Sequence, residues 1–504
     1  MKNKINFKHF FAICLLIWVG MGCQKKLGDF GNLNLDPGKP TTPVPSALLT
    51  NVTSGLGNWI FDGNFYRNTS VPAMYAQYFS QTQYTEESQY LPVNYDWTMY
   101  YAGRSTNTSD NYGIARANLM DLQTIINYNS NDDTKEVAAT FGSNANQIAV
   151  ARILKAYLFW MITDQYGDIP YTGTLQGDPN LPYTPQKDVY ADLLKELKEA
   201  STQFDDGAMP QGDLLFSGNK TGWVKFANSL RLLISLRMSV ADPNTGKTEF
   251  NDALNSGVIE DNSENAELHY PGGSFPNPFY EYYNVIQRKD ISPSEFFVNK
   301  LKSMGDARLK MFASSEIGFP YGLSRDDATN WADSHPGWAF VMSPDYYNND
   351  QSPMFLITAA HIWLARAEAA SYGWTSEDVP TDYSTGIEAS WKQWDVYNDA
   401  SFNSYMAKPE VSLAGGSADQ IKQKIILQRY IAFYPDGKQA WAIWRKTGLP
   451  ELTPAPGTST GIPQRYPYGS DEISLNPTNE KAAAAKYTKD GEDNSMFAKL
   501  WWAK

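Results

Sequence analysis

The apolar stripe Val150, Ile153, Leu154, Tyr157, Leu158 and Met161 constrains this chain more than any other feature. Its spacing of i, i+3, i+4, i+7, i+8 and i+11 places all six side chains on one face of an α-helix, and that face must be buried. Gly167 predicts the end of this helix, and Pro170 prevents its resumption. The spacing recurs at Tyr190, Leu193, Leu194 and Leu197, with Asp192, Lys195, Glu196, Lys198 and Glu199 turned outward. It recurs again at Trp223, Phe226, Ala227, Leu230 and Ile234, a stripe that reads as core. Ser292-Pro293-Ser294-Glu295 combines a capping box with Pro at the first helical position, and Ser417-Ala418-Asp419-Gln420 repeats the box. Residues 352–371 and 384–397 also read as helices. The predicted fold class is mostly α, with few short strands.

Between these helices, residues 58–70, 84–96, 242–290, 313–350 and 449–480 lack helical periodicity. Loops of this length are uncommon unless functional or disordered, and disordered segments lack the aromatic side chains found here. The expectation is of ordered, surface-forming loops on a helical scaffold.

The N-terminus reads as a leader. Lys2, Lys4 and Lys8 precede the apolar run Phe10–Trp18, and small residues lead to Cys23. The run is too short to remain as a membrane-spanning helix. A cysteine at the cleavage point is the signature of a bacterial lipoprotein, so Cys23 is the expected lipidation site. Residues 1–22 form the expected signal peptide, residues 23–45 a Gly-, Asn- and Pro-rich tether, and residues 46–504 a single domain. The second cysteine, Cys14, lies within the leader, so the mature chain can form neither an intramolecular disulfide nor a cysteine-built metal site.

The formal net charge is −13, and removal of a leader holding three lysines and no acid makes the remainder more negative. Such a surface repels phosphate backbones, which argues against nucleic-acid binding. It also repels anionic lipid headgroups, so attachment to a membrane should come from lipid on Cys23.

Catalytic signatures are missing. His269, His335 and His361 lack metal-ligand spacing, and no HExxH, GxSxG or phosphate-cradling glycine loop occurs. Asn129, Asn131 and Asp133 alternate like part of a calcium loop but lack its glycine and final glutamate, so a polar turn is expected. His361 reads as a helix-packing residue. No enzyme, metal or cofactor is expected.

Binding side chains are sought in the loops. A sugar ring offers C–H faces that stack on aromatic rings, and hydroxyls that need amide or carboxylate partners. One loop carries Tyr84, Tyr90, Asn94, Tyr95 and Trp97; another carries Tyr321, Trp331, Asp333, Trp338, Tyr346 and Asn348. The candidate ligand-binding set is Tyr90, Asn94, Tyr95, Trp97, Tyr321, Trp331, Asp333, Trp338 and Tyr346. Trp97, with Tyr100 and Tyr101, equally fits the start of a core-facing helix.

Several strings, in order, carry a resemblance. They are Leu33-Asn34-Leu35-Asp36-Pro37, Thr163-Asp164-Gln165-Tyr166-Gly167-Asp168-Ile169-Pro170-Tyr171 and Trp223-Val224-Lys225-Phe226-Ala227-Asn228-Ser229-Leu230. They continue with Ala365-Arg366-Ala367-Glu368-Ala369-Ala370, Trp444-Arg445-Lys446-Thr447-Gly448-Leu449-Pro450 and Ile462-Pro463-Gln464-Arg465-Tyr466-Pro467-Tyr468. Together they resemble the SusD/RagB family, in its SusD-like lipoprotein branch. The resemblance implies tetratricopeptide-like helix pairs supporting an irregular ligand-binding half. It also implies an outer-membrane lipoprotein, exposed at the cell surface, that captures glycans or other nutrients beside a SusC-like TonB-dependent transporter. Within the strings, Asp164, Asp168 and Arg445 read as scaffold residues. The leading expectation is oligosaccharide capture, against peptide or other-nutrient capture in the same superfamily, or an anchored glycan-processing enzyme.

Overall fold

Short polar side chains cap most of the long helices of this chain. A computed structural model describes residues 42–61, 71–91, 97, 101, 119–458 and 461–504. Cys23, Asn94, Tyr95 and the Leu33–Pro37 string lie outside the described residues. The helices of ten or more residues are Pro45–Gly55 (α1), Leu119–Ser130 (α2), Asn144–Tyr166 (α3), Gln186–Thr202 (α4), Lys220–Arg237 (α5) and Pro243–Asn255 (α6). They continue as Glu295–Met304 (α7), Arg325–Ser334 (α8), Ala359–Ser371 (α9), Val379–Gln393 (α10), Ala418–Ala432 (α11) and Gly437–Thr447 (α12).

Sequential neighbours pack on each other: α2 on α3, α3 on α4, α4 on α5 and α5 on α6. A second run packs α9 on α10 and α11, and α11 on α12, while α5 touches α9 and joins the two runs. Packing of each helix on the next in sequence gives the tetratricopeptide-like pairing, even where, as between α3 and α4, a long loop joins the two. The helix α3 is central, touching α2, α4, α5 and α12. It therefore buries nearly every side chain from Val150 to Tyr166, not the one face that its stripe predicts. The four short strands are Phe79–Gln81 (β1), Ala266–Leu268 (β2), Ile291–Pro293 (β3) and Met354–Ile357 (β4). They form two antiparallel pairs, β1 with β3 and β2 with β4.

Several expected boundaries move. The helix expected over 352–371 begins only after Thr358, whose hydroxyl caps it; the preceding Met354-Phe355-Leu356-Ile357 is an almost fully buried run that pairs as β4. The helix expected over 384–397 starts at Val379 behind the Asp378 cap, with Pro380 in its first turn. Ser294, not Ser292, caps α7, because Ile291–Pro293 is committed to β3. Ser417 and Gln420 form the expected capping box of α11. Two expected loops contain helices with little apolar face: α6, capped by Asp242, and α8, capped by Ser324 and burying only Ala328. A third, 449–480, contains Ser470–Leu475 and the start of Pro477–Ala484.

The described strings that carry the resemblance place their charged side chains in the scaffold. Gly167 takes φ 92° and donates its N–H to Thr163 O at 2.8 Å, ending α3. Asp168 accepts from Gln186 N at 2.9 Å and from Tyr487 Oη at 2.9 Å, and Lys486 lies 2.7 Å from its other oxygen. Asp164 accepts from the Tyr190 hydroxyl, and the Arg445 guanidinium lies 3.6 Å above the Trp441 ring. Glu368 accepts from Lys446 Nζ at 2.5 Å and from Arg429. Burial alone would raise the Glu368 carboxyl, but the two cations outweigh it and hold it at about 2. Asn131 accepts from Asp133 N at 2.8 Å, the polar turn expected of that segment.

Candidate functional site

The segment Phe319–Leu323 draws the two predicted loops together. Phe319 N–H donates to Pro293 O at 2.9 Å and Phe319 O accepts from Glu295 N at 2.8 Å, so the segment lies along the end of β3 as a parallel bridge. Ser80 Oγ donates to Pro320 O at 2.7 Å. Gln89 Nε2 donates to Gly322 O at 3.2 Å and Leu323 O at 3.1 Å. Gly322 has φ +71°, and a Cβ there would meet Ala455, so the chain can pass only without a side chain. Helix α8 begins immediately after, behind Ser324.

Two indoles rest on one buried ring. Phe319 is fully buried. Its centroid lies 4.7 Å from Trp331, on α8, and 5.6 Å from Trp338, both edge-on. Trp331 and Trp338 are themselves only half-buried. The row continues through half-buried Phe340, 5.0 Å from Trp338, and then through Tyr283 to half-buried Tyr347. Lys289 Nζ stands 5.3 Å from the Phe340 centroid. Exposed His335 stacks on Trp331 and places Nδ1 2.9 Å from Trp331 O. The same Nδ1 lies 3.0 Å from the Ser334 hydroxyl, so the ring is held on its Nδ1 side and its Nε2 edge is left toward solvent. The result is a chain of ring contacts whose half-buried members, Trp331, Trp338, Phe340 and Tyr347, expose aromatic surface, with the His335 imidazole against Trp331 and Lys289 beside Phe340.

Tyr321 serves a neighbouring cavity of about 510 Å³, lined also by Gln77, Glu295, Asn299, Lys300 and Thr453. Tyr90 is buried behind it, its hydroxyl accepting from Ala455 N at 2.8 Å. Burial, then the neighbouring Tyr90 hydroxyl, pushes the Tyr321 phenol well up. Gln77 at φ 56° and Tyr90 at φ 70° are non-glycine residues in the left-handed region. Such strain costs of order 1–3 kcal/mol per residue and persists where the surroundings over-determine it.

The other candidates lie elsewhere. Trp97 is buried, 4.9 Å from Tyr166 and 5.9 Å from Tyr183, which makes it a core ring. Tyr346 is also buried, against Phe279 and Trp394, with its hydroxyl donating to Pro353 O. Asp333 is exposed on α8. Sequence reading missed Phe319, His335, Phe340, Tyr283 and Tyr347. The i, i+4 spacing of Trp331 and His335 was a usable signal once α8 was recognised. Tyr283 and Phe340 meet only through the tertiary fold. Among the described residues, no group of three or more His, Cys, Asp or Glu side chains is placed to hold a metal ion. No described helix is long and apolar enough to cross a membrane.

Comparison with known proteins bears on this geometry. A SusD-like family model, described as starch-binding and associating with the outer membrane, matches residues 37–469. A solved chitin-binding protein is 26% identical, superposes with a TM-score of 0.75, and the match covers 91% of this chain and 100% of that one. A SusD homologue from Bacteroides uniformis is 23% identical at a TM-score of 0.75, covering 91% and 99% of the two chains. A chitin-binding SusD homologue from Flavobacterium johnsoniae is 21% identical at 0.71, covering 91% and 98%. No curated protein sequence matches. With a family model spanning most of its length and a helical scaffold shared with solved homologues, the chain belongs to the SusD-like family.

Proposed function

We propose that this protein is a non-catalytic, cell-surface lipoprotein, anchored in the outer membrane through lipid on Cys23, that binds an oligosaccharide. It passes that ligand to a SusC-like TonB-dependent transporter. The observation that carries the reading is the pair Trp331 and Trp338, both half in solvent and both seated on the buried Phe319 ring. Rings held by packing lose little conformational freedom when a sugar stacks on them. The exposed His335 imidazole offers a polar ring edge for a sugar hydroxyl, and the Tyr321 cavity offers amide and charged partners beside the row. The family's starch-binding description and the chitin-binding neighbour at 26% identity favour a polysaccharide over a peptide ligand.

Native affinity electrophoresis tests the reading. The protein is expected to be retarded by at least one soluble glucan or chitin derivative cast in the gel. Retardation by none, with binding to peptides, would move it to peptide capture; release of shorter oligosaccharides would make it an enzyme.

A further inference from the structure

A second cleft, apart from the Trp331 row in its lining residues, carries a chemistry of its own. It has a volume of about 610 Å³ and opens between α2, the loop that follows α3, and the short helix Ser470–Leu475. Tyr101 forms an aromatic wall, Asn127 and Gln176 offer carboxamides, and Asp178 and Glu472 are its charged groups. No Lys or Arg lines it among the described residues.

The cleft is built, not incidental. Tyr101 Oη donates to Pro170 O at 3.0 Å, which fixes the ring. The loop is pinned at its base by the Ile169–Thr184 bridge and along its length by Asn476 Nδ2 donating to Leu181 O at 2.8 Å. Glu472 is half-buried and accepts from Tyr183 Oη at 2.8 Å, with no ion-pair partner among the described residues. Its field is felt by its neighbours: burial first, and then the Glu472 charge, raises both the Tyr101 and Tyr183 phenols. A half-buried carboxylate facing a cleft that no described Lys or Arg lines suits a cationic ligand.

We propose that this cleft binds an oligosaccharide bearing protonated amines, such as a run of unacetylated glucosamine units. The aromatic wall suits a sugar face, the carboxamides suit hydroxyls, and Asp178 and Glu472 suit ammonium groups. The volume exceeds the lower range of small-ligand pockets, which start near 300 Å³.

The test is calorimetric titration of the Trp331→Ala/Trp338→Ala protein, so that the first face is silent, at about pH 6 and low salt. The probes are the β-1,4 trimer of glucosamine, the trimer of N-acetylglucosamine, and trilysine. The glucosamine trimer is expected to bind roughly tenfold more tightly than either other probe, a difference of about 1.4 kcal/mol. Glu472→Gln keeps an acceptor for Tyr183, and Asp178 is exposed, so Glu472→Gln and Asp178→Asn should each fold and each remove most of that preference. Equal binding of the two sugar trimers, or a preference that survives both substitutions, would overturn the proposal. Trilysine binding as well as glucosamine would reassign the cleft to cationic peptides and overturn it too. None of these outcomes bears on the Trp331 row, whose reading fails separately if polysaccharide retardation persists in the double variant.

Discussion

The His335 imidazole lies parallel to the Trp331 indole, with 9° between the ring planes and 4.3 Å between centroids. The imidazole covers part of the indole and extends the aromatic surface, while Nδ1 is fixed by the Trp331 carbonyl. Replacing His335 by Ala removes a ring and its polar edge from an exposed position. Glycan affinity should fall about three- to tenfold, in line with ~0.5–1.5 kcal/mol for an aromatic contact. Thermal unfolding should be unchanged, which a melting curve beside the titration checks.

Phe319 is the opposite case, a ring without exposure that supports two with it. Phe319→Ala should cost about 3–5 kcal/mol of stability by leaving a cavity under the indoles. Urea unfolding measures this directly. Glycan affinity should fall together with stability, because Trp331 and Trp338 lose their common seat.

His361 predicts an acid limit to stability. Burial, with the nearby Arg429 charge adding to it, outweighs the hydrogen bond to Ala432 O and lowers the imidazole to about 3. Its Nδ1 accepts from Thr358 N at 3.2 Å in the capping box of α9, which also requires the neutral ring. The unfolded chain takes up the proton below the ordinary imidazole value of about 6.5, whereas the folded chain does so only near 3. The contribution is therefore full above about pH 6.5 and is lost as pH falls, at up to roughly 1.4 kcal/mol per pH unit. Urea titrations at a series of pH values between neutrality and about 4 should show this slope, and His361→Gln should flatten it.

Gly437 begins α12 against the helix Val71–Tyr75. A Cβ at Gly437 would stand 2.2 Å from both N and Cα of Ala73, and backbone atoms cannot move aside as a side-chain tip can. Gly437→Ala should destabilise by about 2 kcal/mol or more, read as a lowered urea midpoint with an unchanged slope.

The sequence made the scaffold legible where a local signal reported a tertiary fact. The stripe from Val150 located α3, and the Ser417–Gln420 box located the start of α11. Signals failed where helices were polar. Arg325–Ser334 buries only Ala328, so no periodicity marks it, and the available clues were its Ser324 cap and the acidic first turn at Asp326 and Asp327. They failed differently at Met354–Ile357, where a continuous apolar run cannot separate a buried strand from a buried helix. For the site, Trp331 and Trp338 could be named because exposed loop aromatics are chemically suggestive. Trp97 and Tyr346 have the same composition around them but lie in the core, since residue type does not report which way a loop turns. Phe340 and Tyr283 came together only through folding, across more than fifty positions.

Glycan binding is expected on the aromatic row seated on Phe319. Isothermal titration of the wild-type protein and of Trp331→Ala/Trp338→Ala, each with the polysaccharide that retards the wild type most, tests it directly. Saturable wild-type binding and at least a tenfold loss in the variant are expected, with both proteins melting at similar temperatures. Equal affinity in two equally folded proteins would contradict it.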